Sequence, residues 1–249
     1  MSDFKETQWA KKDYTADYLE KVDAIIPLRP RLLELLGSFY RYFLGGGQTR
    51  SIVELGCGDG AFTEELLKTG IPTRATLIDG SEEMLSQARA RLGDYKDIKF
   101  VCSSFQELTE NNALPEGSDL IFSVLAIHHL NAKEKSELFD LVYSRLAPGG
   151  FFINIDDCIP PSALTEDWYL DRWKKEMTEK AAELGVDIDP QSYNDRHKDP
   201  EHHRGLDTLA GLCKKLEAAG FNNVECLFKD GIFTACGAQR PNDSAAPTL

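Results

Sequence analysis

The stretch that decides the fold is VELGCGDG, residues 53–60. It overlaps the end of the apolar run SIVEL at residues 51–55 and precedes a helical pattern at residues 61–68. Glycines between a strand and a helix let the backbone approach a ligand closely, and ligands of parallel sheets bind at the carboxyl ends of the strands. The stretch therefore predicts a ligand site built into an α/β fold.

Strands and helices alternate around this turn. The predicted strands are residues 51–55, 75–78, 98–102, 118–124 and 151–155, and the predicted helices are residues 31–44, 61–68, 81–92, 132–146 and 206–219. The runs FNNVECLF and IFTACGAQ then flank Lys229-Asp230-Gly231, which is typical of an antiparallel hairpin. Alternating strands and helices form right-handed crossovers onto a parallel sheet. We therefore predict an α/β fold with a seven-stranded, mostly parallel sheet, one reversed strand and helices on both faces.

The amino-acid composition disfavours several classes of binding partner and cellular compartment. The chain has 249 residues and a formal net charge of −13, which disfavours binding to nucleic acid or to anionic membranes. It contains no apolar run of about 18 residues and no apolar signal core, so we expect no membrane contact. Six cysteines without a C-x-x-C pair indicate reduced thiols and a cytoplasmic protein.

The pattern predicts one domain over residues 1–240. Its first 48 residues or so form a helical cap, and residues 241–249 read as a disordered tail. About 50 residues, 156–205, separate the fifth strand from the last helix. This insertion is too long for a connector and rich in aromatic residues, so we interpret it as a helical lid over the site.

Charges at the glycine turn indicate the kind of ligand. Glu54 and Asp59 flank the turn, and their carboxylates would repel a pyrophosphate but suit a ligand with an ammonium and a sulfonium. S-adenosylmethionine is such a ligand. Asp79 ends the second strand 19 residues after Gly60, where a carboxylate can accept both hydroxyls of a ribose.

Four motifs together resemble the class I S-adenosylmethionine-dependent methyltransferase family: VELGCGDG, LIDGSEEML, SDLIFSVLAIHHL and RLAPGGFFINI. The resemblance implies a Rossmann-like fold. It also implies that Gly56 and Gly58 lie under the methionine portion, that Asp79 binds the ribose, and that Ser104 stands where members often carry an adenine-binding Asp. The predicted cofactor-binding residues are Glu54, Gly56, Cys57, Gly58, Asp79, Gly80, Met84, Ser104, Phe105 and Ser123.

The cofactor motifs do not identify the residues that act on the methyl acceptor. Asp156 follows the fifth strand and His203 lies in a polar cluster before the last helix, so both are candidate catalytic groups. Tyr18, Trp168, Tyr193 and Arg204 are candidate substrate contacts, although the aromatic residues could equally pack the lid onto the sheet. No metal site is predicted, because His202 and His203 are adjacent and no carboxylate–histidine spacing recurs.

Several functions fit these features. The first is methyl transfer from S-adenosylmethionine to a small molecule. The second is a cofactor-modifying enzyme similar to carboxy-S-adenosylmethionine synthase, and the third is a module that only binds the cofactor. A dehydrogenase is disfavoured by the carboxylates at the turn. The acceptor atom and the oligomeric state stay open.

Overall fold

A computed structural model describes residues 7–203 and 205–242. The predicted tail and the first residues of the predicted cap therefore lie partly outside the described residues. Within them the strands are β1 (Arg50–Leu55), β2 (Thr73–Asp79), β3 (Ile98–Cys102), β4 (Ser118–Val124), β5 (Leu146–Ile159), β6 (Asp207–Thr208), β7 (Asn222–Asp230) and β8 (Phe233–Gln239).

Helices cover both faces of the sheet and precede it. They are α1 (Lys12–Ile25), α2 (Arg29–Leu44), α3 (Ala61–Leu67), α4 (Glu82–Leu92), α5 (Phe105–Asn111), α6 (Ala132–Arg145), α7 (Ala163–Leu184), α8 (Pro190–Lys198), α9 (Pro200–His203) and α10 (Leu209–Ala218). Most predicted bounds agree with these within three residues. Strand β5 is the exception: it starts at Leu146, which already pairs with Ser118 of β4, and its register shifts before Phe151 pairs with Leu120.

The main sheet has the strand order β3-β2-β1-β4-β5-β8-β7, and β6 pairs with the end of β5. Strand β8 runs antiparallel to both β5 and β7, and the other pairings are parallel. The predicted mixed sheet with one reversed strand is confirmed, with the two-residue β6 as an unpredicted eighth strand. The chain order reverses at β1, whose neighbours are β2 and β4, and this switch point is where such sheets bind ligands.

Buried side chains alternate between the two faces of the sheet, because successive residues of a strand point in opposite directions. Ile52, Leu77, Phe122 and Ile153 pack on the face covered by α2 and α3. On the other face the core contains Val53, Ile78, Ile121 and Phe152. Helices α1 and α2 therefore belong to the same core as the sheet. Helix α1 places Tyr18 at the carboxyl ends of the strands, whereas Tyr40 of α2 forms a hydrogen bond with Thr73 at the start of β2.

Residues 156–205, the predicted lid, divide into two parts. Residues 156–159 still belong to β5, and the helical part comprises α7, α8 and α9. Helix α7 is attached to α1, since the indole Nε1 of Trp173 donates to the backbone oxygen of Ile25 at 2.8 Å. Helix α8 is attached to α7 through Asn194, which donates to the backbone oxygen of Leu170 at 3.0 Å.

The glycine turn is closely packed where it enters α3. Gly60 has φ +75°, and a Cβ there would lie 2.9 Å from Leu92 Cδ1 and 3.2 Å from Leu77 Cδ2. Gly70 has the same φ, but a Cβ on it would meet nothing within 4 Å. Substitutions at the two glycines therefore distinguish the free-energy cost of the left-handed backbone, which both share, from the cost of packing, which applies only to Gly60.

We expect Gly60→Ala to lower the free energy of unfolding by about 1–3 kcal/mol more than Gly70→Ala, because only the first adds atoms to a filled space. Urea unfolding of the two variants and the wild type measures the difference. Equal losses in the two variants would show that left-handed strain alone, and not contact with α4, requires glycine at position 60.

Candidate active site

A cavity of about 580 Å³ opens at the carboxyl ends of β1, β2 and β4. One side of it is formed by the glycine turn, the end of β2 and the start of α5. The opposite side is formed by the segment before α1, by α1 itself, by residues 124–130 and by the end of α8 with α9. A single space therefore joins the predicted cofactor site to the helical insertion.

Asp79 holds the floor of this cavity. Its Oδ2 accepts a hydrogen bond from the backbone N–H of Gly58 at 2.9 Å, and its Oδ1 accepts one from Ser81 at 2.8 Å. Burial raises the pKa of Asp79, and the two N–H donors partly oppose this shift. The carboxylate thus sits at the tip of β2, as predicted, and also shapes the turn beside it.

Glu54 is buried in the cavity wall with a single side-chain partner. The Thr63 hydroxyl donates to Glu54 Oε2 at 2.5 Å. Burial raises the pKa of Glu54 to about 8, and the Thr63 hydrogen bond only partly offsets it. Near pH 7 this carboxyl is therefore mainly protonated unless a cation binds next to it.

Asp59 does not present a free negative charge to the cavity. Its carboxylate forms ion pairs with Arg91 at 2.5 Å and with Arg29 at 3.7 Å. Together with the protonation of Glu54, these pairs remove the electrostatic repulsion that the sequence argument assumed against a pyrophosphate. The carboxylates at the turn therefore do not discriminate between a dinucleotide and S-adenosylmethionine.

Most of the predicted cofactor-binding residues border one side of the cavity. Besides Glu54 and Asp79, these are Gly56, Cys57, Gly58, Gly80, Met84, Ser104 and Phe105. Ser104 caps α5 by accepting from Glu107 N at 3.2 Å, and its hydroxyl donates to the Glu107 carboxylate at 3.1 Å. Ser123 lies outside the wall, because its buried hydroxyl donates to the backbone oxygen of Leu55.

Aromatic rings close the other side. The ring of Trp9 packs edge-on against Tyr14 and Tyr18, with centroids 5.1 and 5.0 Å away, and its Nε1 donates to His129 Nε2 at 3.1 Å. Trp9, Tyr18 and His129 all border the cavity. Sequence analysis proposed Tyr18 as a substrate contact but not Trp9 or His129. His129 belongs to the motif SDLIFSVLAIHHL, but the motif does not indicate a contact with Trp9, 120 residues away.

Asp156, the predicted catalytic carboxylate, is buried behind this wall. Its Oδ1 lies 2.5 Å from His128 Nδ1, and the cavity lining does not include it. Burial lowers the pKa of His128, but the neighbouring Asp156 carboxylate outweighs that effect and the net pKa is raised. The pair holds the imidazole of His128 next to that of His129, with 4.1 Å between the ring centroids.

The other predicted acceptor-side residues are spread over the insertion. His203 Nε2 lies 3.1 Å from Glu166 Oε1 in a separate surface depression of the insertion. Trp168 is 59% exposed and faces away from the cavity, and Tyr193 stacks beneath the Arg196 guanidinium. Arg204 lies outside the described residues.

The fold assembles three imidazoles that sequence spacing could not bring together. One nitrogen from each of His128, His129 and His202 lies within 4.8 Å of the others. The sequence argument considered only the adjacent pair His202 and His203 and missed this cluster.

No helix in the described part of the chain is long and apolar enough to cross a membrane.

The raised pKa of Glu54 predicts a pH-dependent stability. A carboxyl whose pKa is higher in the folded state contributes stability below its ordinary pKa, near 4.5, and loses it as pH rises through about 8. Glu54→Gln keeps an oxygen for Thr63 but cannot ionise. We therefore expect the variant to gain stability over the wild type progressively between pH 5 and pH 9.

Urea unfolding at pH 5, 7 and 9 checks this, with the exposed Glu110→Gln as the matched control. The difference between Glu54→Gln and wild type should widen with pH, whereas the control should stay parallel to wild type. A pH-independent difference would mean that Glu54 ionises normally in the folded protein.

Comparisons with known proteins point to a methyltransferase domain. Residues 52–150 match the family model of a methyltransferase domain. The chain is 32% identical over 106 residues to malonyl-[acyl-carrier protein] O-methyltransferase 1 of Ilyobacter polytropus, covering 43% of this chain and 37% of that protein. It is 30% identical over 137 residues to phosphoethanolamine N-methyltransferase of Triticum aestivum, covering 54% and 24%.

The chain thus spans well under half the length of these two relatives. An O-methyltransferase family protein from Burkholderia thailandensis has the same fold, with a TM-score of 0.67 at 14% identity over 96% of this chain and 64% of that one. The domain match covers the glycine turn, Asp79 and the strand β4 motif, and the fold extends over the whole described chain. These findings support the resemblance to the class I S-adenosylmethionine-dependent methyltransferase family.

Proposed function

We propose that this protein transfers a methyl group from S-adenosylmethionine to a small-molecule acceptor. The observation that carries the proposal is the single cavity in which the cofactor-binding side, with Asp79 and the glycine turn, faces a second wall of aromatic and basic side chains. A protein that only stored the cofactor would not need that second wall. An acceptor bound against it would lie next to the methionine end of the cofactor site.

The residues present fit the cofactor. A Cβ on Gly58 would meet no protein atom within 4 Å, so the turn leaves open space for a ligand to approach its backbone. Asp79 has further acceptor capacity beyond its two N–H partners and can receive ribose hydroxyls. Glu54 is placed to pair with an ammonium group, which would restore its ionised form.

Methyl transfer requires little proton transfer to or from groups of the protein. S-adenosylmethionine supplies an electrophilic methyl group on a sulfonium when it is bound. Asp79 and the glycine turn would set the direction of that group, and the aromatic wall of Trp9 and Tyr18 would exclude water and hold the acceptor in line. The rate then depends mainly on positioning.

Helices α7, α8 and α9 act in this proposal as the lid that selects the acceptor. The cavity lining includes Arg196, Asp199 and His202, which come from the end of α8 and from α9. All six cysteines are unpaired, which supports a reducing compartment such as the cytoplasm. The partner in this proposal is a small molecule and not nucleic acid or membrane.

Isothermal titration calorimetry with S-adenosylmethionine, S-adenosylhomocysteine and NAD tests the cofactor assignment. We expect the first two to bind and NAD to give no signal. Asp79→Asn should weaken S-adenosylhomocysteine about 10- to 100-fold, because a charge-assisted hydrogen bond to the ribose is lost. Glu82→Gln, at the exposed start of α4, is the control and should bind as wild type does.

NAD binding without S-adenosylmethionine binding would overturn the proposal. Native mass spectrometry of the purified protein separates the remaining alternatives, because a carboxylated cofactor has a different mass from S-adenosylmethionine. A protein that binds the cofactor but never forms S-adenosylhomocysteine with any acceptor would be a binding module.

The lid assignment predicts a pattern of amide hydrogen exchange. Residues 196–203 should exchange faster than β1 and β4 in the free protein, since lids come from the less stable parts of a structure. S-adenosylhomocysteine should slow exchange there more than in the first turns of α7, which lie far from the cavity. Protection equal to that of the central strands in the free protein would make the insertion a fixed part of the core.

A further inference from the structure

The acceptor side of the cavity carries mainly hydrogen-bond donors and positive charge, although the whole chain has a net charge of −13. Arg196, His129, His202 and Tyr18 all border this side. The following proposal rests on the proposed methyltransferase function and concerns only the chemical class of its acceptor.

The tautomer of His129 follows from its partner. An indole N–H can only donate, so the hydrogen bond from Trp9 Nε1 occupies the lone pair of His129 Nε2. A neutral imidazole then carries its proton on Nδ1. Within residues 7–203 and 205–242 no protein atom accepts from that Nδ1, and His129 is exposed to the cavity. His129 therefore offers an N–H donor to a bound ligand.

Arg196 adds a positive charge whose described partners are neutral. Its Nη1 donates to the Tyr14 hydroxyl at 2.8 Å, and its guanidinium lies 5.9 Å from the Tyr14 ring centroid and 5.5 Å from that of Tyr193. No carboxylate of the described residues forms an ion pair with it. The two rings and the phenol hold the guanidinium at the cavity mouth and leave its other N–H groups available.

Neighbouring groups reinforce this positive region. Burial, with smaller contributions from His128 and Arg196, lowers the pKa of His202 to about 4. Burial raises the pKa of Tyr18, so its hydroxyl keeps its proton and can donate. Burial, followed by the neighbouring His128 and His202, also lowers the pKa of His129.

Negative groups near this region are largely committed elsewhere. Asp199 Oδ1 accepts from the backbone N–H groups of Glu201 and His202, at 2.9 and 3.3 Å. Glu201 borders the cavity but is exposed to water, which screens it. Asp156 is paired with His128 behind the wall, and burial raises the pKa of Asp157 to about 7.

We propose that the acceptor is an oxyanion, a carboxylate or phosphate-type group, and that Arg196 and His129 bind it for methylation on oxygen. An acceptor oxygen would form the new bond to the methyl carbon while the carbon–sulfur bond breaks and its electron pair stays on sulfur. The products are a methyl ester and S-adenosylhomocysteine. Since the acceptor arrives without a proton on the reacting oxygen, the reaction needs no general base.

A metal ion is the competing occupant of the three-histidine cluster. A metal needs imidazole lone pairs, but the lone pair of His129 Nε2 already accepts from Trp9 and the Asp156 carboxylate favours a protonated His128. The nearby charge of Arg196 also opposes binding of a cation. The same groups all favour an anion.

Calorimetry on the complex with S-adenosylhomocysteine tests the proposal, using malonate and inorganic phosphate as probes. We expect at least one of them to bind, and Arg196→Gln and His129→Phe each to weaken it tenfold or more while S-adenosylhomocysteine affinity stays within threefold. Lys198→Gln is the matched control, because Lys198 lies on the same helix but pairs with Asp167 on the outer surface. It should bind both probes as wild type does.

Absence of binding by both probes, or equal binding to Arg196→Gln and wild type, would overturn the proposal. So would one-to-one binding of Zn²⁺ that is lost in His202→Ala, because the cluster would then be a metal site. These outcomes leave S-adenosylmethionine binding untouched, so they are distinguishable from failure of the proposed function.

The chemistry of the product gives a second, independent test. The purified protein is incubated with methyl-labelled S-adenosylmethionine and separate sets of carboxylic acids, alkyl phosphates and amines. Methyl groups on carboxylate oxygen leave as methanol in mild alkali, whereas methyl groups on nitrogen do not. Turnover with base-labile label or with alkyl phosphates supports the proposal, and turnover confined to amines overturns it.

Discussion

The Asp79 carboxylate is the constraint on which the site depends. Each of its oxygens accepts one backbone N–H, from Gly58 in the turn after β1 and from Ser81 at the start of α4. One side chain thus fixes the glycine turn against the tip of β2 and directs α4 away from it. Because this partly buried carboxylate joins two chain segments, losing one donor would loosen the glycine turn and change the shape of the cavity floor.

Several acidic side chains lie along this edge of the sheet, and each has a different kind of partner. Glu54 stays mainly protonated with one hydroxyl partner, Asp59 is neutralised by two arginines, and Asp156 pairs with His128. Glu54 and Asp59 border the cavity on the predicted cofactor side, whereas Asp156 supports the imidazole of His128 behind the opposite wall. Electrostatics therefore differs between the two sides of one cavity, although both sides draw on the same strand ends.

Local sequence patterns predicted most of the fold. The strands around the turn and the Ser81 cap of α4 follow from apolar runs and cap residues, and they agree with the structure. Contacts between distant segments could not be predicted from the sequence, because no spacing rule indicates that Trp9 contacts His129 or that His128 contacts Asp156. The charge argument at the turn failed for the same reason, because it could not know that Asp59 pairs with Arg29 and Arg91, which belong to other helices.

The two sides of the cavity differ in how far apart their residues lie in the sequence. The predicted cofactor side is compact in sequence, since residues 53–60 and 79–84 supply the turn, the carboxylate of Asp79 and a helix start. The opposite side combines side chains from residues 7–29, residues 124–130 and the end of α8 with α9, which are far apart in the sequence. This separation explains why motifs reveal the cofactor, whereas the acceptor must be inferred from donors, charges and tautomers in the assembled cavity.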